Sequence, residues 1–413
     1  MTAADGTRFT VNGDAPEIIV DRDHKVVSVP FSKHLPPIRA GFREGLGCSV
    51  LPFGASVEAV KNLPTLSSPR PKYEKEDLAW PEGPITLPTD NRPYQTALDK
   101  VIDDVFVPGT YGEASRTIGV VVLHNDQVLA ERYREGFGPN TQYRTWSTAK
   151  SLASAVVGAA VEDGILPKVK KRAPIPEWQS KDDPRRKITM ENLLHMASGL
   201  DSVNPERGSD TPAAYWTGID IADDATSQKL IHKPGEVNHY ANYDTLLLMR
   251  ALKASLPDHQ AYLDYPYQAL FDKIGMHNTF AETDAYGNYV MSSQVYTTAR
   301  DLSRFGQLYL NDGVWEGERI LPKGWAEYSC TPAPAQKHDH YLYGAQWWMT
   351  SPEIGTKAHP DTLRICTTDG YRGQHVAFIP EYNLVIARTG LDSSPGFSQG
   401  LFFADIVRAI AGE

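Results

Sequence analysis

The sequence predicts an α/β fold: a sheet assembled from both ends of the chain, with a mainly helical subdomain inserted between them. Three observations predict it. Strand-like apolar runs occur at 118–133 and again between 343 and 390. Patterns with helical spacing fill the interval from about 165 to 290. The chain closes on another helical run, "FFADIVRAIAGE". A length of 413 residues is enough for one large domain or two lobes sharing a core. The formal charge of −10 argues against nucleic acid or an anionic membrane as the main partner. No apolar run approaches the ~20 residues of a membrane-spanning helix.

Residues 1–90 are Pro-rich and weakly periodic, and are expected to form an N-terminal arm packed on a domain that occupies 91–413. Within the arm, "EIIVDRDHKVVSVPF" reads as a hairpin. "LSSPRPKYEKEDLAWPEGPITLPTDNRP" reads as a strap over the domain surface. "YQTALDKVIDDVF" has helical spacing. "TIGVVVLHNDQVLAERYREGF" is a hairpin with Asn125-Asp126 at its turn. The next helix, opening at "YRTWSTAKSLASAVVGAAVEDG", reads as amphipathic. Ala149, Leu152, Val156 and Ala160 form a buried stripe. Ser147, Ser151, Ser154 and Gly158 form an opposite face small enough for other backbone to approach. Helical patterns follow in "ITMENLLHMASGL", "YDTLLLMRALKASL", "YPYQALFDKIGM" and "TTARDLSRFGQLYLNDG", the last stopped by Gly313. "YGAQWWMT", "DTLRICTT", "QHVAFIPE" and "NLVIARTG" are strand-like.

The chemistry gathers at the mouth of the amphipathic helix. Ser147 and Lys150 are three residues apart, so their side chains are neighbours. A serine hydroxyl is a weak nucleophile until a base takes its proton. A lysine serves as that base if burial lowers its pKa from ~10.4 towards ~7–8. Roughly one Ser-x-x-Lys is expected by chance in a chain this long, so a capping serine and a lysine reaching to solvent are the bland alternative. A second element is Tyr240-Ala241-Asn242, on a loop leading into an apolar helix. Tyr240 can relay a proton if nearby lysine charge lowers its pKa, and Asn242 can hold a carbonyl or the lysine. A third is Thr368-Asp369-Gly370, a turn between two strands whose edge can supply a backbone N–H to an oxyanion.

This ordered set resembles the serine β-lactamase and penicillin-binding-protein superfamily, for which Ser-x-x-Lys is a signature. The Tyr-x-Asn form is similar to class C β-lactamases and their esterase and amidase relatives, most closely the 6-aminohexanoate-dimer hydrolase-like proteins. The likeness runs from about residue 90 to the end, through "PIPEWQSKDDPRRKITMENLLHMASGLD", "TTARDLSRFGQLYLNDGVWEGERILPKGW" and "GYRGQHVAFIPEYNLVIARTG". It implies a β-lactamase-like fold with an antiparallel sheet flanked by helices. It also implies an acyl-enzyme on Ser147, Lys150 as base and Tyr240 as proton shuttle. The oxyanion hole would be the N–H groups of Ser147 and Tyr371, with Asn242, Asp369, Gly370 and Arg372 around the substrate. One departure matters. Class C enzymes carry Lys-Thr-Gly where this chain has Thr368-Asp369-Gly370. An acid there repels the carboxylate of a β-lactam unless Arg372 compensates, so a neutral or cationic small ester or amide suits the site better. No metal or organic cofactor is implied, and the protein is expected to be a monomer or homodimer. The polar N-terminus reads as cytoplasmic; "FREGLGCSVLP", similar to the arm of many secreted relatives, keeps a periplasmic location open.

Other readings carry less. Gly396-Phe397-Ser398-Gln399-Gly400 spells a nucleophile elbow, but His375, the last histidine, precedes Ser398, so that triad order cannot be completed. His338-Asp339-His340 lacks a metal-protease pattern and reads as a surface loop. Cys48, Cys330 and Cys366 are far apart and signal neither zinc nor a disulfide framework, so they are expected to be small buried apolar residues. His195 and His239 read as structural histidines. Trp146, Tyr215 and Trp216 are candidates for substrate contact or for core packing.

Overall fold

The computed structural model describes residues 17–30, 32–71, 80, 93–204, 208–210, 215–336, 341–350, 365–393 and 396–412. Most of the expected strap at 66–93 and all of His338-Asp339-His340 lie outside them.

The N-terminal segment forms a four-stranded antiparallel sheet in chain order: β1 (Ile19–Asp21), β2 (Val26–Val29), β3 (Ile38–Arg43) and β4 (Gly47–Val50). This is more regular structure than its weak periodicity suggests. Helix α1 (Gln95–Asp104) leads into the hairpin β5 (Thr117–His124) and β6 (Gln127–Tyr133). Asn125 and Asp126 turn that hairpin at φ values of 50° and 61°, the left-handed pair that matches strand twist. A short β7 (Tyr143–Arg144) precedes α2 (Thr148–Glu162). The central stretch holds α3 (Met190–Leu194), the paired β8 (Val203–Asn204) and β9 (Gly208–Ser209), α4 (Ile221–Thr226), α5 (Asn242–Ser255) and α6 (His259–Pro266). Helix α6 continues as a wider π turn over Tyr267–Phe271. Strands β10 (Phe280–Ala281) and β11 (Val295–Thr297) join β7 in a three-stranded sheet. Then come α7 (Ala299–Leu310), β12 (Val314–Trp315), β13 (Glu318–Arg319), α8 (Trp325–Ser329), β14 (Tyr341–Tyr343), β15 (Trp348–Thr350), β16 (Cys366–Thr367), β17 (His375–Ile379), β18 (Leu384–Gly390) and α9 (Gln399–Ala411).

The main sheet has seven antiparallel strands in the order β14-β15-β16-β17-β18-β5-β6. Strands from both chain ends meet at the β18–β5 seam, and the α/β expectation holds there. The run "IGVVVL" is continuous rather than alternating because both faces are covered. Val120 and Val122 enter a core with Phe402, Phe403 and Ile406 of α9 and Leu98 of α1. Val121 and Leu123 enter the opposite core with Phe305 of α7 and Leu152 and Val156 of α2.

Helix α2 departs from the amphipathic expectation. Every residue from Thr148 to Ala160 is buried. The small face is covered too, because other backbone approaches it as its residues lead one to expect. Ser151 Oγ donates to Gln346 O at 2.6 Å and Ser154 Oγ to Ala345 O at 3.1 Å. At Gly158 a Cβ would come within 2.8 Å of Trp325. Gly164, at φ 71°, ends the helix.

Two of the three cysteines also depart from expectation: Cys330 and Cys366 form a disulfide, their Cα atoms 5.8 Å apart. It ties β16 to the end of α8. Cys48 is a free, partly buried thiol whose pKa burial pushes up.

Candidate active site

Ser147 occupies the N-cap position of α2, yet its side chain makes no capping bond. The bland reading of a capping serine therefore does not apply. The residue before it, Trp146, has a φ of 49°, a conformation that non-glycine residues adopt rarely and that collects at functional sites. The Arg144 guanidinium lies 3.6 Å from the Trp146 ring centroid and within 5.3 Å of Tyr215 and Trp216, so it gathers these three aromatics around itself, next to Ser147 in the chain. Thr145 fastens the same turn to β11 through its N–H and hydroxyl, both donating to Val295 O at 2.8 and 2.9 Å.

Lys150 does not reach solvent; it is 1% exposed. Its Nζ lies 3.3 Å from Ser147 Oγ and donates at 2.8 Å to both Asn242 Oδ1 and Ser292 O. Burial lowers its pKa from 10.5 to about 7, with Asp210 opposing the shift. The ring of Tyr240 sits 4.9 Å from Nζ. As a residue Tyr240 is 39% exposed, but its hydroxyl end is enclosed, with Ser147 as hydrogen-bonding neighbour. The enclosure of the hydroxyl governs titration. The phenol is therefore raised above its usual pKa, by burial first and only partly offset by Ser147. This corrects the expectation that lysine charge would lower it: Lys150 is itself poised near neutrality, and the phenol stays protonated. Tyr343 and Trp348 pack on the Tyr240 ring at 5.6 and 5.3 Å.

Asn242 opens α5 with its amide engaged on both sides. Oδ1 accepts from Lys150 and from Tyr215 Oη at 2.6 Å, and Nδ2 donates to Asp210 Oδ1 at 2.8 Å. It faces the lysine, one of its two expected partners. Asp210 and Ser292 bore no sequence signal, because their places come from contacts 32 and 142 residues away in the chain.

The strand-edge turn also comes to Ser147. Thr148 Oγ1 lies 2.9 Å from Thr368 Oγ1 and donates to Gln374 O at 2.7 Å. Gly370 passes so close to Thr145 O that a Cβ has no room. The turn runs through Tyr371, Arg372 at φ 66° and Gly373 at φ 84°. The Trp146 and Tyr371 rings meet edge-on at 5.2 Å. Among the described residues, neither the Ser147 N–H nor the Tyr371 N–H has a hydrogen-bond acceptor. Behind the turn, Arg388 pairs with Asp392 at 2.8 Å and donates to Gly373 O at 3.0 Å, a buried brace that sequence reading missed. Arg372 departs from expectation: its guanidinium donates to Leu391 O and Asp392 O, and so braces the turn. Asp369 is half exposed and lines a 150 Å³ hollow with Trp348, Met349, Thr350, Thr367 and Gln399.

Capacity does not locate this chemistry. A hollow of 1320 Å³ lies between the N-terminal sheet and the body, lined by Lys25, Arg43, Arg70, Phe280 and Arg304, and includes none of the Ser147 group. His195 is buried against Tyr328, and burial lowers its pKa to about 4, as suits a structural histidine. Ser398 occupies the N-cap position of α9, also without a side-chain capping bond. No described helix is long and apolar enough to cross a membrane.

The Beta-lactamase family profile matches residues 102–391. The chain belongs to that family. That family lies within the serine β-lactamase and penicillin-binding-protein superfamily. It is 26% identical over 326 residues to the 6-aminohexanoate-dimer hydrolase of Paenarthrobacter ureafaciens, covering 72% of this chain and 80% of that one. Among solved structures, a β-lactamase/D-alanine carboxypeptidase from Yersinia pestis superposes with a TM-score of 0.59 at 18% identity, over 77% of this chain and 98% of that one. A class C β-lactamase does so with a TM-score of 0.56 at 16% identity, over 78% and 98%. The β-lactamase-like fold is thereby shown, and the chain is a hydrolase of this superfamily.

Proposed function

We propose that this β-lactamase-family protein is a serine hydrolase that works through an acyl-enzyme on Ser147 and cleaves a small neutral or cationic ester or amide. A carboxylesterase or a 6-aminohexanoate-oligomer-type amidase fits that description. The observation that carries the reading is Lys150: a buried amine, with a pKa near 7, 3.3 Å from Ser147 Oγ. Neutral Lys150 takes the Ser147 proton, directly or through Tyr240, as Oγ attacks the substrate carbonyl carbon. The oxyanion accepts from the N–H groups of Ser147 and Tyr371. Collapse breaks the bond to the leaving alkoxide or amine, which takes its proton from Tyr240; the Lys150 ammonium reprotonates Tyr240. Water then attacks the acyl-enzyme, and its proton returns the system to its starting state.

Asp369 supports a neutral or cationic substrate. Its nearest histidine, His375, is 3.8 Å away and held neutral by burial, so it does not cancel the carboxylate. With Arg372 turned to backbone, little remains to attract a β-lactam carboxylate. The likeness to the 6-aminohexanoate-dimer hydrolase supports the amide alternative.

The test is intact mass after exposure to a fluorophosphonate probe. Wild type gains one adduct and Ser147→Ala gains none; an ester and amide panel then follows, with penicillin as control. An unlabelled wild type, or an adduct that survives in Ser147→Ala, overturns the reading.

A further inference from the structure

The Lys150–Asn242 contact requires one orientation of an amide. Asn242 must turn Oδ1 to the lysine, because Lys150 and the Tyr215 hydroxyl both donate to that atom. A flipped amide would set Nδ2–H₂ against the Lys150 N–H and Oδ1 against the Asp210 carboxylate. An ionised carboxylate only accepts, so the group facing Asp210 has to be the amide nitrogen. Asp210 is 7% exposed, and its Oδ2 also takes the N–H of Asn242 at 2.5 Å and of Tyr243 at 3.0 Å. These are the first two N–H groups of the 14-residue α5, where a helix favours negative charge. One carboxylate thus caps the helix and fixes the amide, from a segment that carries no motif.

We propose that Asp210 is a positioning residue: by accepting from Asn242 Nδ2 it holds the amide oxygen on Lys150, and so keeps the lysine where it takes the Ser147 proton. This rests on Ser147 as nucleophile and Lys150 as its base. The groups facing Lys150 Nζ are Ser147 Oγ, Asn242 Oδ1, Ser292 O and the Tyr240 ring, with Tyr215 beyond Asn242. Asp210 is the charged group acting on the lysine, and it favours the ammonium. Further out, Asp244 faces Asp210, Asp369 faces Tyr240, and Arg144 faces Tyr215.

The experiment follows the rate of fluorophosphonate labelling against pH, with thermal melting to report folding. In Asp210→Asn the new amide presents N–H₂ to Asn242 Nδ2, and Asn242 turns away from the lysine. The plateau rate falls about tenfold, the scale of one charge-assisted hydrogen bond. With the negative charge gone, the acidic limb moves to lower pH, which a merely structural role would not produce. Asn242→Asp alone sets two carboxylates together and slows labelling. The exchange Asp210→Asn with Asn242→Asp restores one amide facing one carboxylate, with an oxygen on the lysine, and recovers part of the plateau rate. Wild-type rate and limb in a folded Asp210→Asn overturn the placement of Asp210 alone. If that variant does not fold, equal rates for Asn242→Asp and the exchanged pair overturn it. A Ser147→Ala protein that still labels instead overturns the underlying reading.

Discussion

At the scale of single residues, the site turns on how far burial outweighs charge at Lys150. The lysine donates to two oxygens, which favours its ammonium, yet enclosure still brings its pKa to about 7. On the proposed mechanism the base is the neutral amine, so activity should be lost as pH falls through about 7 and be fully present above it. Tyr240, raised by burial, adds no opposing loss near neutrality. kcat/KM should therefore fall about tenfold per pH unit on the acid side, the slope of one titrating group. Lys150→Arg keeps the positive charge but cannot release a proton in this range. It should abolish labelling at every pH while the protein melts as a folded species. Labelling of Lys150→Arg at the wild-type rate would remove the lysine from the proton path.

At the scale of elements, α2 and the β16–β17 turn are held together by backbone proximity. Gly370 passes against Thr145 O, and Thr148 bridges to Gln374 O. Gly370→Ala has no flexible side chain to displace, so the turn must move away from α2 and carry the Tyr371 N–H with it. Labelling should fall on the order of 100-fold, the effect of losing one oxyanion donor, while the far-ultraviolet circular dichroism is retained. Unchanged labelling would show that the turn is not part of the oxyanion site. The same contrast explains what could be read from sequence. Ser147 and Lys150 are three residues apart on one helix, and Asn125-Asp126 turns adjacent strands, so local spacing suffices. Asp210, Ser292 and the Arg388–Asp392 brace act through tertiary neighbours, and the two bonded cysteines are 36 residues apart. Helix α2 is buried all round, against its amphipathic reading, but its small face does receive other backbone as expected, at the carbonyls of Ala345 and Gln346. The orientation of Arg372 was hidden in its tertiary neighbours, the carbonyls of Leu391 and Asp392.

At the scale of the whole molecule, the N-terminal sheet is fastened to the catalytic body by buried polar contacts. Arg43 donates to Thr283 Oγ1 at 3.1 Å, Ser49 donates to Thr283 O, and the Cys48 N–H donates to Glu282 Oε1 at 2.7 Å. Glu282 is buried, and burial raises its carboxyl from 4.5 to about 7, although Arg43 and Arg144 oppose the shift. The unfolded chain releases this proton near 4.5, so between 4.5 and 7 the folded state holds more protons than the unfolded one. The stability this group contributes is present below 4.5 and is lost as pH rises through about 7. Asp244, also raised to about 7 by burial, acts in the same direction, whereas Lys150, lowered to about 7, regains stability as pH rises from there. Glu282→Gln keeps an oxygen for the Cys48 N–H and removes only the titration, which isolates this term from the other two. Denaturant unfolding at pH 5 and pH 8 should show a larger loss of stability in wild type than in Glu282→Gln, by roughly 1–3 kcal/mol. Equal losses in the two proteins would mean that Glu282 stays ionised, and that the Cys48 N–H, Arg144 and Arg43 together outweigh burial at the seam between sheet and body.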